Sequence, residues 1–161
     1  MVRWLSALVA MAIGMGAGVA RAGEQSALPA FDLVSRSGGT VASTALPNQG
    51  RWVLIYVSTA CGSCDRLLSA LEQWRPTLRQ DRIVVVIRGA RDAAESYAKQ
   101  HADAAGMEWY ADADAQGARA LGLQHEPALV AIENGRVAWT VTGVLNDPRA
   151  VEPIIRNWTV P

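Results

Sequence analysis

One stretch constrains this chain more than any other: Trp52-Val53-Leu54-Ile55-Tyr56-Val57, followed at once by Ser58-Thr59-Ala60-Cys61-Gly62-Ser63-Cys64 and a helix-like run to Trp74. Six consecutive apolar residues without polar alternation imply a strand covered on both faces, as in α/β sheets. Beyond the cysteines, Leu67, Leu68, Leu71 and Trp74 recur at helical spacing, while Asp65, Arg66, Glu72 and Arg75 fall elsewhere on the wheel. Pro76 marks the helix end. A buried strand thus delivers two cysteines to the start of an amphipathic helix.

Cys61 and Cys64 are the only cysteines. Residues i and i+3 in a first helical turn have Cα atoms about 5–6 Å apart, within disulfide range, so dithiol and disulfide can exchange without rebuilding the fold. At the helix N-terminus Cys61 faces unpaired N–H groups and the positive end of the dipole, which favour thiolate. It is the expected nucleophile, and Cys64, one turn in, the resolving thiol. Two plainer readings compete. A zinc site wants four ligands, and His101 and His125 lack finger-like spacing. A purely structural disulfide closing so short a loop restrains the unfolded chain little.

Residues 1–22 have the form of an export signal: Arg3, an uncharged and mostly apolar run Trp4–Val19, and small residues at Ala20 and Ala22. Cleavage there would leave Gly23 first. An uncleaved membrane anchor is the alternative, although Gly14, Gly16 and Gly18 interrupt a run already short for a span of about 20 residues. Periplasmic or other export suits a redox-active pair, because exported compartments tend to be oxidising. Removing 22 of the 161 residues leaves 139, enough for one domain with a proper core. Losing Arg3 and Arg21 takes the 15 basic residues to 13 against 15 acidic ones, and no basic run is present, so nucleic acid is not an expected partner.

Gly23–Ala27 reads as a mobile polar leader. Phe31–Val34, a Ser37-Gly38-Gly39 turn and Thr40–Ala42 read as a hairpin. Ile83–Ile87 is a second buried strand, Asp92–Ala105 a helix stopped by Gly106, Glu108–Tyr110 a short strand, and Ala115–Leu121 a brief helix. Ala128–Ile132 and Val137–Val141 flank Asn134-Gly135, the strongest short hairpin signal. Asp147-Pro148 opens a last helix to about Trp158. Trp52, Trp74, Trp109, Trp139 and Trp158 are expected to pack in or around the core.

With these residues in place, the chain resembles thioredoxin-fold proteins, and among them the exported TlpA/ResA-type thiol:disulfide oxidoreductases. Four features over roughly residues 28–158 carry the resemblance: the N-terminal hairpin, the strand into Cys61-Gly62-Ser63-Cys64, Asp112-Ala113-Asp114 before a short helix, and Glu126-Pro127 opening a hairpin. It implies an α/β thioredoxin fold, a central mixed sheet flanked by helices, with an N-terminal β-hairpin extension and one domain over 23–161. It also implies a cis Pro127 against the cysteine pair, protein thiol or disulfide substrates, a membrane thiol-electron carrier as donor, clients such as apocytochrome c or copper-site cysteines, no cofactor, and a monomer. The chain departs from the pattern at Ala60, where tryptophan is usual before the first cysteine. Ile55 and Leu67 stand where thioredoxin and ResA-like proteins carry an acid, and Ser69 where a helix proline is common. Glu126, just before the proline, is the remaining carboxylate available to accept the Cys64 proton, while His125 reads as an ordinary surface or core histidine.

A disulfide reductase is the leading functional reading. A DsbA-like oxidant is the alternative, disfavoured because Gly62-Ser63 offers no strong thiolate stabiliser. A binding or assembly module on a thioredoxin scaffold, with the pair vestigial or holding copper, is the third. The Pro-x-x-x-Thr-x-x-Cys pattern of peroxiredoxins is not present around Cys61.

Overall fold

The computed structural model describes residues 26–47, 49–101, 106–143 and 148–160. The expected signal and its cleavage site lie outside them, as do Asp147 and the last residues of the expected 92–105 helix.

Eight strands form one mixed sheet: β1 (Ser26–Ala27), β2 (Asp32–Ser35), β3 (Thr40–Ala42), β4 (Arg51–Ser58), β5 (Ile83–Arg88), β6 (Glu108–Asp112), β7 (Ala128–Glu133) and β8 (Arg136–Thr142). Their order is β1-β8-β7-β4-β5-β6-β2-β3. The doubly apolar strands take the centre: β4 runs parallel to β5, and β5 parallel to β6. On the other side of β4 the β7–β8 hairpin is antiparallel, turning at Asn134 and Gly135 with φ of 51° and 74°. Positive φ at both positions is what a two-residue hairpin turn requires. The expected hairpin β2–β3 extends the sheet beyond β6.

Four helices cover this sheet: α1 (Gly62–Trp74), α2 (Arg91–Gln100), α3 (Gln116–Ala120) and α4 (Val151–Thr159). Strand alternation divides the core. Val53, Ile55 and Val57 face Leu67, Leu68 and Leu71 of α1, Ala94, Tyr97 and Ala98 of α2, and Val151 and Ile155 of α4. Trp52, Leu54 and Tyr56 face the other way, onto Phe31, Leu33, Leu46 and Ala118. Burying each leucine of the α1 stripe contributes about 1.5–3 kcal/mol, which holds the redox helix against the centre of the sheet.

Two expectations need correction. Ser26 and Ala27 are not part of a mobile leader: they pair with Val137 and Arg136 as β1, because β8 would otherwise leave that part of its edge without hydrogen-bond partners. The last helix starts later than expected, since Pro148–Ala150 forms a 3-10 turn before α4. The tryptophans pack as expected: Trp52 and Trp109 are buried, Trp74, Trp139 and Trp158 lie against the core, and Trp139 meets Trp158 edge to face.

Candidate active site

The two cysteines meet where β4 ends and α1 begins. Cys61 is the N-cap of α1, and its side chain occupies the place of a capping acceptor: the Cys64 N–H donates to the Cys61 sulfur at 3.2 Å. Cys61 and Cys64 are disulfide-bonded, with Cα atoms 5.2 Å apart. Cys61 is half-buried, whereas Cys64 is enclosed among the apolar residues beneath α1. The asymmetry expected of an attacking and a resolving thiol is therefore built into the helix terminus.

The loop carrying Cys61 is fixed by backbone contacts. Ser58 O accepts the Cys61 N–H at 3.2 Å, Ser58 Oγ the Ala60 N–H at 3.3 Å, and Arg88 O the Thr59 N–H at 3.4 Å. Ala60 is exposed and leaves Cys61 without the aromatic cover that tryptophan would supply. Ile55 and Leu67 are both buried and apolar, so no acid reaches Cys64 from either position.

The Glu126–Pro127 bond is cis, as the resemblance implied. Pro127 is buried, and its carbonyl accepts the Gly143 N–H at 3.1 Å, which ties the entry of β7 to the exit of β8. Glu126 is not a free loop carboxylate: Arg88 Nη2 donates to its Oε2 at 3.0 Å, and the Glu126 side chain is only 16% exposed. His125 is exposed.

Sequence reasoning missed two neighbours of the site. Ser63 Oγ lies 3.3 Å from the Cys61 sulfur, within hydrogen-bonding distance. Gly62-Ser63 therefore does offer a group able to stabilise a thiolate. The signal was in view, a hydroxyl two residues from the nucleophile. Arg88 is the other. As the first charge after five apolar residues of β5, opposite Ser58 in the register, it was legible as a residue at the active-site edge.

Behind the site a buried acid does exist, on β6. Asp112 is 1% exposed and accepts from Tyr56 Oη at 2.6 Å, from the Gln116 N–H at 2.8 Å and from the Gly117 N–H at 2.8 Å. Burial first, and then this hydrogen bond, push the Tyr56 phenol far above its ordinary value. Asp112 is thus occupied in anchoring α3 to the sheet. Among the described residues no group of three or more histidine, cysteine, aspartate or glutamate side chains could hold a metal ion. None of their helices is long and apolar enough to cross a membrane.

The geometry defines a thioredoxin-fold domain with a Cys-x-x-Cys disulfide capping its first helix and a cis-proline at the entry of β7. The family model described as AhpC/TSA matches residues 25–143, and the chain belongs to that family. Solved structures share the fold. A Chlorobium tepidum protein assigned provisionally as thiol:disulfide interchange protein DsbE superposes with a TM-score of 0.67 at 20% identity, covering 86% of this chain and 99% of its own. A secreted Mycobacterium tuberculosis disulfide oxidoreductase homologous to E. coli DsbE gives 0.63 at 16%, covering 79% and 95%. The exposed lipoprotein thioredoxin Etrx1 of Streptococcus pneumoniae gives 0.60 at 14%, covering 80% and 98%. Among curated proteins none matches by sequence.

Proposed function

We infer that this protein is an exported thiol:disulfide oxidoreductase acting on other proteins, and that it runs in the reducing direction. The observation that carries the exchange chemistry is the Cys61 sulfur itself, half-exposed at a helix N-terminus with the Cys64 N–H and the Ser63 hydroxyl beside it, while the reducing direction rests on the resemblance to TlpA/ResA-type proteins. Both contacts favour thiolate once the disulfide is reduced.

In the reduced enzyme the Cys61 thiolate attacks one sulfur of a client disulfide. A Cys61–client bond forms, and the other client sulfur leaves as thiolate. Cys64 then loses its proton and attacks the Cys61 sulfur, which forms the intramolecular disulfide and releases the second client thiol. The client gains two electrons and the enzyme loses two, to be restored by a membrane thiol carrier. Pro127 serves as the wall of the site. Glu126 is our candidate to take up the Cys64 proton, relayed through water because Arg88 already holds the carboxylate. Clients of the kind the resemblance implies, apocytochrome c or copper-site cysteines, fit this direction, and the same reading includes export by residues 1–22 and a monomeric mature domain over 23–161.

The Ser63 contact favours a second reading, an oxidant, because stabilising the Cys61 thiolate makes a couple more oxidising. The equilibrium potential of Cys61/Cys64 against glutathione separates the two: a value near those of cytosolic reductants supports reduction, one near DsbA supports oxidation. Insulin reduction with a thiol donor tests the activity, and a protein that never turns over would refute both enzymatic readings. Cys64→Ser is expected to accumulate mixed disulfides through Cys61, while Cys61→Ser traps nothing. Glu126→Gln slows mixed-disulfide release if the carboxylate is the proton acceptor, and an unchanged release assigns the proton to solvent. N-terminal sequencing of the exported protein should read Gly23-Glu24-Gln25, whereas an intact Met1 on a membrane-bound product would mark an anchor.

A further inference from the structure

Arg88 touches both loops that border the redox pair. As the last residue of β5 it pairs with Ser58, the last residue of β4, and its carbonyl takes the Thr59 N–H at the start of the cysteine loop. The next residue, Gly89, has φ of 148°, and a Cβ there would stand 3.2 Å from Thr59 Oγ1, so the two loops are in close contact. The side chain of Arg88 goes the other way. Its Nη2 meets Glu126 Oε2 at 3.0 Å, and because β4 lies between β5 and β7 in the sheet, the guanidinium crosses the end of β4 to reach the residue before Pro127.

The pair is half-solvated, with the Arg88 side chain 43% exposed, so its contribution to stability stays that of a surface pair, about 0–1 kcal/mol, and its value lies in position. Glu126 is only 16% exposed and is followed by a buried proline, so its carboxylate has little water to turn to. Arg88 supplies one charged donor to it. The pair also lies on a definite side of the sheet. Arg88 follows Val84 and Val86 in the alternation of β5, on the face of Tyr56 and the apolar cluster around Phe31, whereas Cys64 belongs to the cluster beneath α1. A carboxylate on the Tyr56 side would reach the cysteines by its field or through water rather than by direct contact.

We propose that Arg88 is a positioning residue of the redox site: it holds Glu126 beside Pro127 and cancels the charge that this carboxylate would otherwise impose on the Cys61 sulfur. The proposal deepens the oxidoreductase reading and rests on it for its functional meaning. Among the described residues, the other charged or titratable groups around the site include Asp65 and Arg66 on α1, with Tyr97 and His101 against Asp65, Tyr56 and Asp112 behind β4, and His125 before Glu126. All of them stay constant across the variants below.

The test is a charge cycle read by thiol titration and by redox potential on the full chain. Arg88→Gln leaves Glu126 unbalanced, and the Cys61 pKa should rise by about half a unit, which lowers its thiolate fraction near neutral pH about threefold. Carried over in full to the two-electron couple, the same threefold makes it more reducing by roughly 15 mV. Glu126→Gln leaves Arg88 unbalanced and should shift both readouts the opposite way. The double variant should return close to the wild type, and Arg88→Lys, which keeps the charge, should rescue most of the Arg88→Gln shift. A contact of merely structural value would move stability without this reversal of sign. An unchanged Cys61 titration in a folded Arg88→Gln protein overturns the proposal, as does a double variant that fails to restore. If Arg88→Gln does not fold, Glu126→Gln alone decides: a lowered Cys61 pKa supports the proposal and an unchanged one overturns it. Failure to reduce insulin would refute the enzymatic reading while leaving the titration result standing, so the two can fail separately.

Discussion

The hydroxyl of Ser63 stands 3.3 Å from the Cys61 sulfur, on the first turn of the helix that Cys61 caps. A serine at this place can turn its proton toward a thiolate and offer it one more donor than the helix backbone alone provides. Ser63→Ala is therefore expected to raise the Cys61 pKa, lowering the rate of iodoacetamide labelling near neutral pH by about threefold, the size of one modest hydrogen bond. Stability of the oxidised protein should hardly change, because Ser63 is partly exposed. Equal labelling rates for variant and parent would show that the hydroxyl points elsewhere in the reduced state.

Asp112 supports α3 in a way no other described residue can replace, since it takes two backbone N–H groups at the start of that helix and the Tyr56 hydroxyl. Asn at this position keeps one acceptor oxygen but presents an NH2 group to donors. Buried donors left unpaired cost roughly 1–3 kcal/mol each. Asp112→Asn should thus lower the stability of the oxidised protein by about 2 kcal/mol or more, read as a shift in urea midpoint with an unchanged slope. A loss within about 0.5 kcal/mol, typical of surface substitutions, would mean that water satisfies these groups.

Much of this architecture is legible before any coordinates because it depends on local pattern. The apolar runs of β4 and β5, the Asn134-Gly135 turn and the leucine stripe of α1 each declare themselves within a few residues. The cysteine pair does so too, and its helix-capping position follows from the strand-to-helix transition. What escaped depends on register. β1 exists only because two residues near the start of the described chain meet the edge of β8, more than a hundred positions away. The Arg88–Glu126 contact needs the β4–β5 and β4–β7 registers together before the two residues can face each other across β4. Tyr56, the one hydroxyl in the apolar run 52–57, hinted at a polar partner, but nothing local could name Asp112.

Two glycines should respond in opposite directions to the same substitution. At Gly117 a Cβ would lie 2.9 Å from Phe31 Cε2 and 3.0 Å from Asp112 Oδ2, both in the packed core behind the sheet. Overpacking of this kind costs about 1–3 kcal/mol, more than the roughly 1 kcal/mol that alanine gains over glycine in a helix. At Gly62 a Cβ would meet nothing within 4 Å, and the backbone is already helical. Gly62→Ala should stabilise by about 0.4–1 kcal/mol, mainly through the unfolded chain. Urea unfolding of both oxidised variants checks the pair, and the same sign at both sites would contradict the packing described around Phe31.

Alkaline pH should unfold this protein through its tyrosines. Burial, followed by a hydrogen bond to a carboxylate, raises all three phenols that the core holds: Tyr56 with Asp112, Tyr97 with Asp65, and Tyr110 with Glu108. Tyr110 is pushed up to about 12, and the other two lie higher still. In the unfolded chain each titrates near 10. Between those values the unfolded state has lost a proton that the native state keeps, so it binds fewer protons and stability falls as pH rises. The stabilisation is complete below about pH 10 and is lost progressively above it, through about pH 12 for Tyr110 and beyond for the others. The disulfide keeps both cysteines out of this titration. The urea midpoint of the oxidised protein should therefore be flat between about pH 8 and 9 and fall steeply above about pH 10. Tyr56→Phe should begin lower, because Asp112 loses a donor, and then decline less steeply, because one raised phenol is gone. Parallel curves for the variant and its parent would show that Tyr56 ionises as easily in the fold as in the unfolded chain, contrary to its burial beside Asp112.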